Sequence, residues 1–228
     1  MARSVKPRRR YDSPRRREQA AATRRDILVA AQRLFEQQGY AATSMGAIAA
    51  EAGVALKTVY LAFETKRGVL LALWHLLLRG DEKPVPVGER PWFREVVEEP
   101  DPKRQLRLNA RNSRIVKERG GALMEILRGA APADPELDAL WKRIQAEFYD
   151  NQRSIVEVLD GKNALRSGLD VAHATDILWT LNHPNLYWLL VGDRGWTPER
   201  YEEWLADSLC SQLLRVTNSA ACPGAGPR

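Results

Sequence analysis

Wherever apolar residues cluster in this chain they recur at helical spacing, and nowhere do they alternate strictly with polar ones. That property excludes a sheet-based fold. Ile27, Leu28, Ala31, Leu34 and Phe35 follow the i, i+1, i+4, i+7, i+8 pattern of one helix face. The spacing predicts a helix from about residue 18 to the stop offered by Gly39. Thr43 and Ser44 supply cap oxygens for a short second helix through Ile48 and Ala49, ending near Gly53. A third is predicted over 55–63, with Val59 and Phe63 inward, and Thr65 caps a fourth carrying Val69, Leu70, Leu73, Trp74 and Leu77. Ile48, Val54, Val59 and Phe63 are the expected core of this region.

Six Pro and Gly residues then fall close together (Pro84, Pro86, Gly88, Pro91, Pro100, Pro102), which predicts a linker over 81–101. Beyond it, helices are expected over 102–119, 120–129 and 135–160, the last with a stripe of Leu137, Trp141, Ile144, Phe148, Ile155 and Leu159. A segment over 170–190 holds Pro184 as a predicted kink. Thr197-Pro198 opens the last helix, whose apolar face is Tyr201, Trp204, Leu205, Leu209 and Leu213. The expected fold class is all-α.

Charge is distributed unevenly. Residues 1–25 hold ten basic and two acidic side chains, whereas the other 203 residues hold 25 basic and 27 acidic. The excess lies in two runs, Arg8-Arg9-Arg10 and Arg15-Arg16-Arg17, which read as a disordered arm over 1–19 for a polyanion. The longest apolar stretch, Val69 to Leu78, is interrupted by His75 and is about half the roughly twenty residues of a membrane-spanning helix. The Arg-rich start lacks the apolar core of a secretory signal, so a cytoplasmic protein without membrane association is expected. Two cysteines, Cys210 and Cys222, exclude a disulfide framework and a four-thiolate zinc site.

A short helix, a tight turn in which Gly53 fits the left-handed position, and a second short helix together read as a helix-turn-helix. In such units the second helix enters the major groove while neighbouring groups hold phosphates. The segments Gly39-Tyr40-Ala41-Ala42-Thr43-Ser44-Met45, Ile48-Ala49, Ala52-Gly53-Val54 and Thr58-Val59-Tyr60-Leu61-Ala62-Phe63, followed by Lys66, resemble the DNA-binding domain of the tetracycline-repressor (TetR) family over about residues 24–75. The resemblance implies a homodimeric transcription regulator, most often a repressor, released from a palindromic operator on double-stranded DNA by a small molecule.

The resemblance also assigns roles. Thr43 and Ser44 begin the second helix, where the family holds a phosphate; the same residues also serve as ordinary caps. Ala55, Leu56, Lys57 and Thr58 open the recognition helix, with Lys57 placed to read guanine and Thr58 to reach bases or phosphates. Tyr60 and Lys66 are expected on phosphates. Two positions depart from the family. Ala55 stands where Ser is frequent, losing a cap worth roughly 0.5–2 kcal/mol, and Ala62 stands where His is frequent. The reading face is thus short of hydrogen-bonding groups, and Ala55, Leu56 and Leu61 are suited to thymine methyls. The arginine arm then has a task in the adjacent minor groove.

The expected organisation is a helix-turn-helix domain over 20–66, a connecting helix over 67–80, the linker, a helical domain over 102–216 and a disordered tail over 217–228. The family implies an effector cavity in the helical domain. Its expected lining is Leu123, Leu127, Trp141, Ile144, Phe148, Trp179 and His183, for a small apolar or aromatic ligand. Dimerisation maps to about 170–190 and 197–214. An enzyme is not expected: Gly-x-Ser-x-Gly, Walker, His-Glu-x-x-His and Rossmann motifs are all missing. His173 and Asp176, with His183 further on, make a poor metal site, Glu147 and Asp150 read as solvated charge, and no cofactor is expected. The alternative is a helical interaction module whose basic tail binds nucleic acid without sequence preference.

Overall fold

The computed structural model describes residues 14–79 and 85–215, and among them every regular element is helical. One isolated antiparallel bridge joins Leu165 to Leu214. The chain divides into two compact units, residues 1–73 and 74–228. Among the described residues, no single helix is long and apolar enough to cross a membrane.

In the first unit, α1 (Pro14–Ala42) precedes α2 (Met45–Glu51) and α3 (Leu56–Phe63), and α4 (Lys66–Arg79) begins there. Ile27, Leu28, Ala31 and Phe35 of α1 pack with Ile48 of α2 and Val59 of α3, all fully enclosed, so truncating any of the larger side chains costs about 2–5 kcal/mol. Val54 is half-buried, so it borders this core and does not anchor it. Gly39, at φ +79°, interrupts α1 at the predicted stop, and one more turn follows to Ala42.

Helix α1 starts earlier than its apolar stripe suggests. Arg15, Arg16 and Arg17 lie on its exposed first turn and not in a disordered arm. Pro14 tolerates a first-turn position, and the Arg, Glu, Gln and Ala residues that follow are strong helix formers. Arg8, Arg9 and Arg10 lie outside the described residues, as do the expected tail over 217–228 and Cys222.

The second unit contains α5 (Pro91–Glu98), α6 (Pro102–Ala130), α7 (Pro135–Gly161), α8 (Val171–Leu181), α9 (Pro184–Tyr187) and α10 (Pro198–Leu213). Three expectations are corrected here. The presumed linker holds a 3₁₀ turn, Val87–Glu89, and then α5, which starts on Pro91 and buries Phe93 and Val96. Proline is compatible with a helix start, so the cluster punctuates the chain without preventing helix formation. The segments expected over 102–119 and 120–129 are one continuous helix, α6. Gly120 and Gly121 are close-approach points within it: a Cβ on Gly121 would stand 2.7 Å from Trp188 Cζ2. Pro184 breaks its helix, because it lacks an N–H and its ring would strike the Thr180 carbonyl. Accordingly α8 ends at Leu181, α9 starts at Pro184, and a π-helical turn, Trp188–Asp193, follows.

Candidate nucleic-acid interface and interhelical cavity

Helices α2 and α3 are joined so that the chain bends by 113°, within the range of about 90–120° usual for a helix-turn-helix. Ser44 caps α2, its Oγ accepting from the Ala47 amide at 3.1 Å. The end of α2 is a Schellman motif: Val54 N donates to Ala49 O at 3.0 Å and Gly53 N to Ala50 O at 3.2 Å. Gly53 has φ +66°, the left-handed value this turn requires. Ala55 then stands as N-cap of α3 with no side-chain bond, as the sequence suggests.

Val59 and Phe63 point inward from α3, while Ala55, Leu56, Lys57, Tyr60 and Leu61 face solvent. Leu61 is 77% exposed, the extreme among the large apolar side chains of the described residues. Positions 56, 57, 60 and 61 share one helix face, so the outer surface offers two leucines, an ammonium and a phenol. Thr58 is half-buried at its edge.

Two of the predicted phosphate contacts are occupied within the fold. Thr43 is 1% exposed; its hydroxyl donates to Gly39 O at 2.8 Å and accepts from Gln38 Nε2 at 3.3 Å. A hydroxyl enclosed in this way is a latch on the end of α1, and the outward cap is Ser44 alone. Lys66 turns back onto the same chain end. Its Nζ donates to the carbonyls of Tyr40 (2.7 Å), Thr43 (2.8 Å) and Ala41 (3.4 Å) and lies 4.2 Å from the Tyr40 ring centroid. An ammonium on three such carbonyls stabilises the negative end of α1.

Sequence reasoning missed two further supports of α3. Arg24 donates to Ala62 O at 2.6 Å and stacks 4.0 Å from the Phe63 ring centroid, so it closes the carbonyl end of α3. Gly68 lies where a Cβ would come within 2.1 Å of Phe63 O, a separation no other residue tolerates. Thr65 caps α4 as expected, accepting from Gly68 N at 2.9 Å.

The second unit contains a cavity of about 100 Å³, partly open to solvent. Its apolar wall includes Trp74, Val87, Trp92, Phe93, Val116, Met124, Ile144, Phe148 and Pro184. Of the expected lining, Ile144 and Phe148 are present. Leu123 and Leu127 are each 1% exposed and fill the packed interior instead. Trp141 is not in the lining, and neither are Trp179 and His183, which meet edge to face with centroids 5.0 Å apart. Periodicity identifies which face of α6 and α7 is inward, but not where packing leaves a gap.

Sequence reasoning missed the polar lining altogether, although it has a signal. Asn109, Ser113 and Lys117 of the lining recur every four residues along α6, and the first and last are buried. Lys117 Nζ donates to Ser113 Oγ (2.7 Å), Asn182 Oδ1 (2.8 Å) and Tyr201 OH (2.8 Å). Asn182 Nδ2 in turn donates to Gln152 Oε1 at 3.0 Å. Burial pushes the Lys117 ammonium well below its ordinary range and the Tyr201 phenol up. Burial also lowers His183, with the Lys117 charge acting in the same direction.

The weak metal constellation does not assemble. His173 Nδ1 pairs with Asp170 Oδ2 at 3.0 Å, while Asp176 accepts from the Tyr149 hydroxyl at 3.0 Å. Among the described residues, no group of three or more His, Cys, Asp or Glu is placed to hold a metal ion.

Comparison with known proteins agrees with this geometry. Residues 27–73 match the family model for bacterial regulatory proteins of the tetR family. The HTH-type transcriptional regulator AcrR of Shigella flexneri is 32% identical over 114 residues, covering 49% of this chain and 50% of that protein. The chain thus matches about half the length of this curated relative. Among solved structures, SmeT in complex with triclosan superposes with a TM-score of 0.65 at 21% identity, over 91% of this chain and 98% of SmeT. NalD of Pseudomonas aeruginosa, the secondary repressor of the MexAB-OprM multidrug efflux pump, gives 0.61 at 22% identity, over 88% and 100%. At these identities the two structures establish the shared fold, a helix-turn-helix domain followed by a helical domain.

Proposed function

We propose that this chain, a member of the tetR family of transcription regulators by its DNA-binding unit, represses transcription as a homodimer on a palindromic operator. A small molecule entering the cavity of the second unit releases it. The observation that carries the DNA-binding part is the outer face of α3: Leu56, Lys57, Tyr60 and Leu61 stand exposed on a helix whose inner face and carbonyl end are fixed.

Lys57 supplies a guanine or phosphate contact, Tyr60 a phosphate contact, and the two leucines apolar contact with thymine methyls. Ser44 and the first amides of α2 hold a further phosphate. The exposed Arg15, Arg16 and Arg17 add electrostatic attraction, joined by Arg8, Arg9 and Arg10 from outside the described residues. One eight-residue helix reads too few base pairs for specificity, so two copies are required, with half-sites about 34–36 Å apart. The dimer forms through α8 and α10. SmeT, a repressor of the SmeDEF multidrug efflux pump in Stenotrophomonas maltophilia, has the same fold and a triclosan complex, which supports a small-molecule effector here.

Gel-shift titration of the full chain on DNA upstream of its own gene, against random competitor, tests the reading. A sequence-selective shift that Lys57→Ala abolishes is expected. Equal retention of random DNA favours the interaction module with a basic tail. Replacing Arg15, Arg16 and Arg17 by Gln lowers the slope of log K against log salt by about 0.9 for each phosphate these side chains neutralise, and an unchanged slope removes them from the interface.

A further inference from the structure

We infer that the cavity of the second unit recognises an amphipathic organic acid, with its carboxylate between Lys117 and Asn109 and its aromatic or alkyl body against Trp92 and Phe148. The inference rests on the reading of this cavity as the effector site and adds the chemical class of its ligand.

Two buried donors in the lining carry it. Lys117 is 5% exposed, and its three N–H bonds go to the neutral oxygens of Ser113, Asn182 and Tyr201. No carboxylate among the described residues offsets its charge. The one acid in the lining, Glu147, is exposed to solvent. A buried ammonium without a counter-ion is costly, and a ligand anion is the group that would stabilise it. Asn109 is 7% exposed, and its Nδ2 has no hydrogen-bond partner. An unfilled buried donor costs about 1–3 kcal/mol until an acceptor reaches it.

The placement lets one head group serve both. The Lys117 side chain runs back along α6 to Ser113, one helical turn from Asn109. A carboxylate has two acceptor oxygens, one for the Asn109 amide and one for the ammonium, which exchanges its bond to Ser113 Oγ for the bond to the ligand. A ligand amine would meet Lys117 with like charge, and a neutral amide head would leave that charge uncompensated. The remaining wall is apolar and aromatic, so the part of the ligand behind the head must be apolar as well.

Calorimetric titration of the full-length protein with naphthalene-1-acetate, its primary amide and naphthalene-1-methanol decides the matter. The acid is expected to bind about tenfold to a hundredfold tighter than the amide, the difference a charge-assisted hydrogen bond makes. Lys117→Met is expected to bring that ratio close to one. Where Lys117→Met does not fold, the wild-type ratio and its reduction in Asn109→Leu decide. Equal or tighter binding of the amide, or an acid preference that survives Lys117→Met, overturns the acid assignment and leaves the cavity as an effector site for neutral ligands. Failure of all three compounds to bind overturns the acid assignment and the effector-site reading together.

Discussion

Replacing Lys66 by Met separates two roles that one lysine can play beside DNA. In this structure its ammonium is committed to the chain end after α1, with short bonds to Tyr40 O (2.7 Å) and Thr43 O (2.8 Å) and a long one to Ala41 O (3.4 Å). A hydrogen bond from a charged donor contributes roughly 1.5–3 kcal/mol, and a cation at a helix C-terminus roughly 0.3–1 kcal/mol. The site is half-buried, so water recovers part of the loss at the freed carbonyls, and methionine keeps the apolar stem. A loss of about 2–3 kcal/mol remains, set against a typical total of about 5–15 kcal/mol. Urea unfolding followed by far-UV circular dichroism should show the midpoint falling by about 1 M. Amide exchange at Thr43, whose N–H donates to Tyr40 O at 3.3 Å, should quicken in parallel. The salt slope of DNA binding should not change in protein that remains folded. A variant within about 0.5 kcal/mol of the parent whose salt slope falls by about 0.9 would refute the cap and restore the phosphate role.

Ala55→Ser supplies the absent side-chain cap of α3 and should raise stability by about 1 kcal/mol, read as an increase in the urea midpoint. Gly68→Ala should cost more than the roughly 1–3 kcal/mol of ordinary overpacking, because the clash is with backbone, whereas Gly129→Ala, with open space around it, should gain up to about 1 kcal/mol. Equal effects at the two glycines would contradict the close approach. Burial holds Lys117 toward its neutral form, so below the ordinary lysine value of 10.5 the unfolded chain binds more protons than the folded one and stability rises with pH. The stability of Lys117→Met relative to the parent should therefore be greatest near neutral pH and shrink toward about pH 10, and a constant difference in urea midpoints would exclude the effect.

The helix-turn-helix is legible in the sequence because its signals are local. Helical spacing, the Ser44 cap, the left-handed Gly53 and the Thr65 cap all act within a few residues of themselves. What sequence reading misses depends on distant partners. Lys66 has the residue type of a phosphate ligand, and only the fold shows it turned onto Tyr40 at the end of α1. Gly120 and Gly121 inside α6 read as a stop until Leu77 and Trp188, both far along the chain, are seen to approach them. Pro91 reads as a linker residue but starts a helix, because only proline's position relative to the first turn decides which it does. Of the seven residues expected to line a cavity, Ile144 and Phe148 line the one found, whose wall also draws on Trp74, Trp92 and Phe93. Apolar stripes identify what is enclosed, whereas the cavity is marked by the polar groups left inside it, here Asn109, Ser113 and Lys117 on α6.

The contact between Gly68 and the Phe63 carbonyl acts as a rigid coupling. With no side chain to serve as a compliant spacer and a backbone oxygen directly opposite, α3 cannot swivel without carrying the first turn of α4 with it. A larger residue at this joint would alter the angle between α3 and the first turn of α4 as well as the stability of the unit.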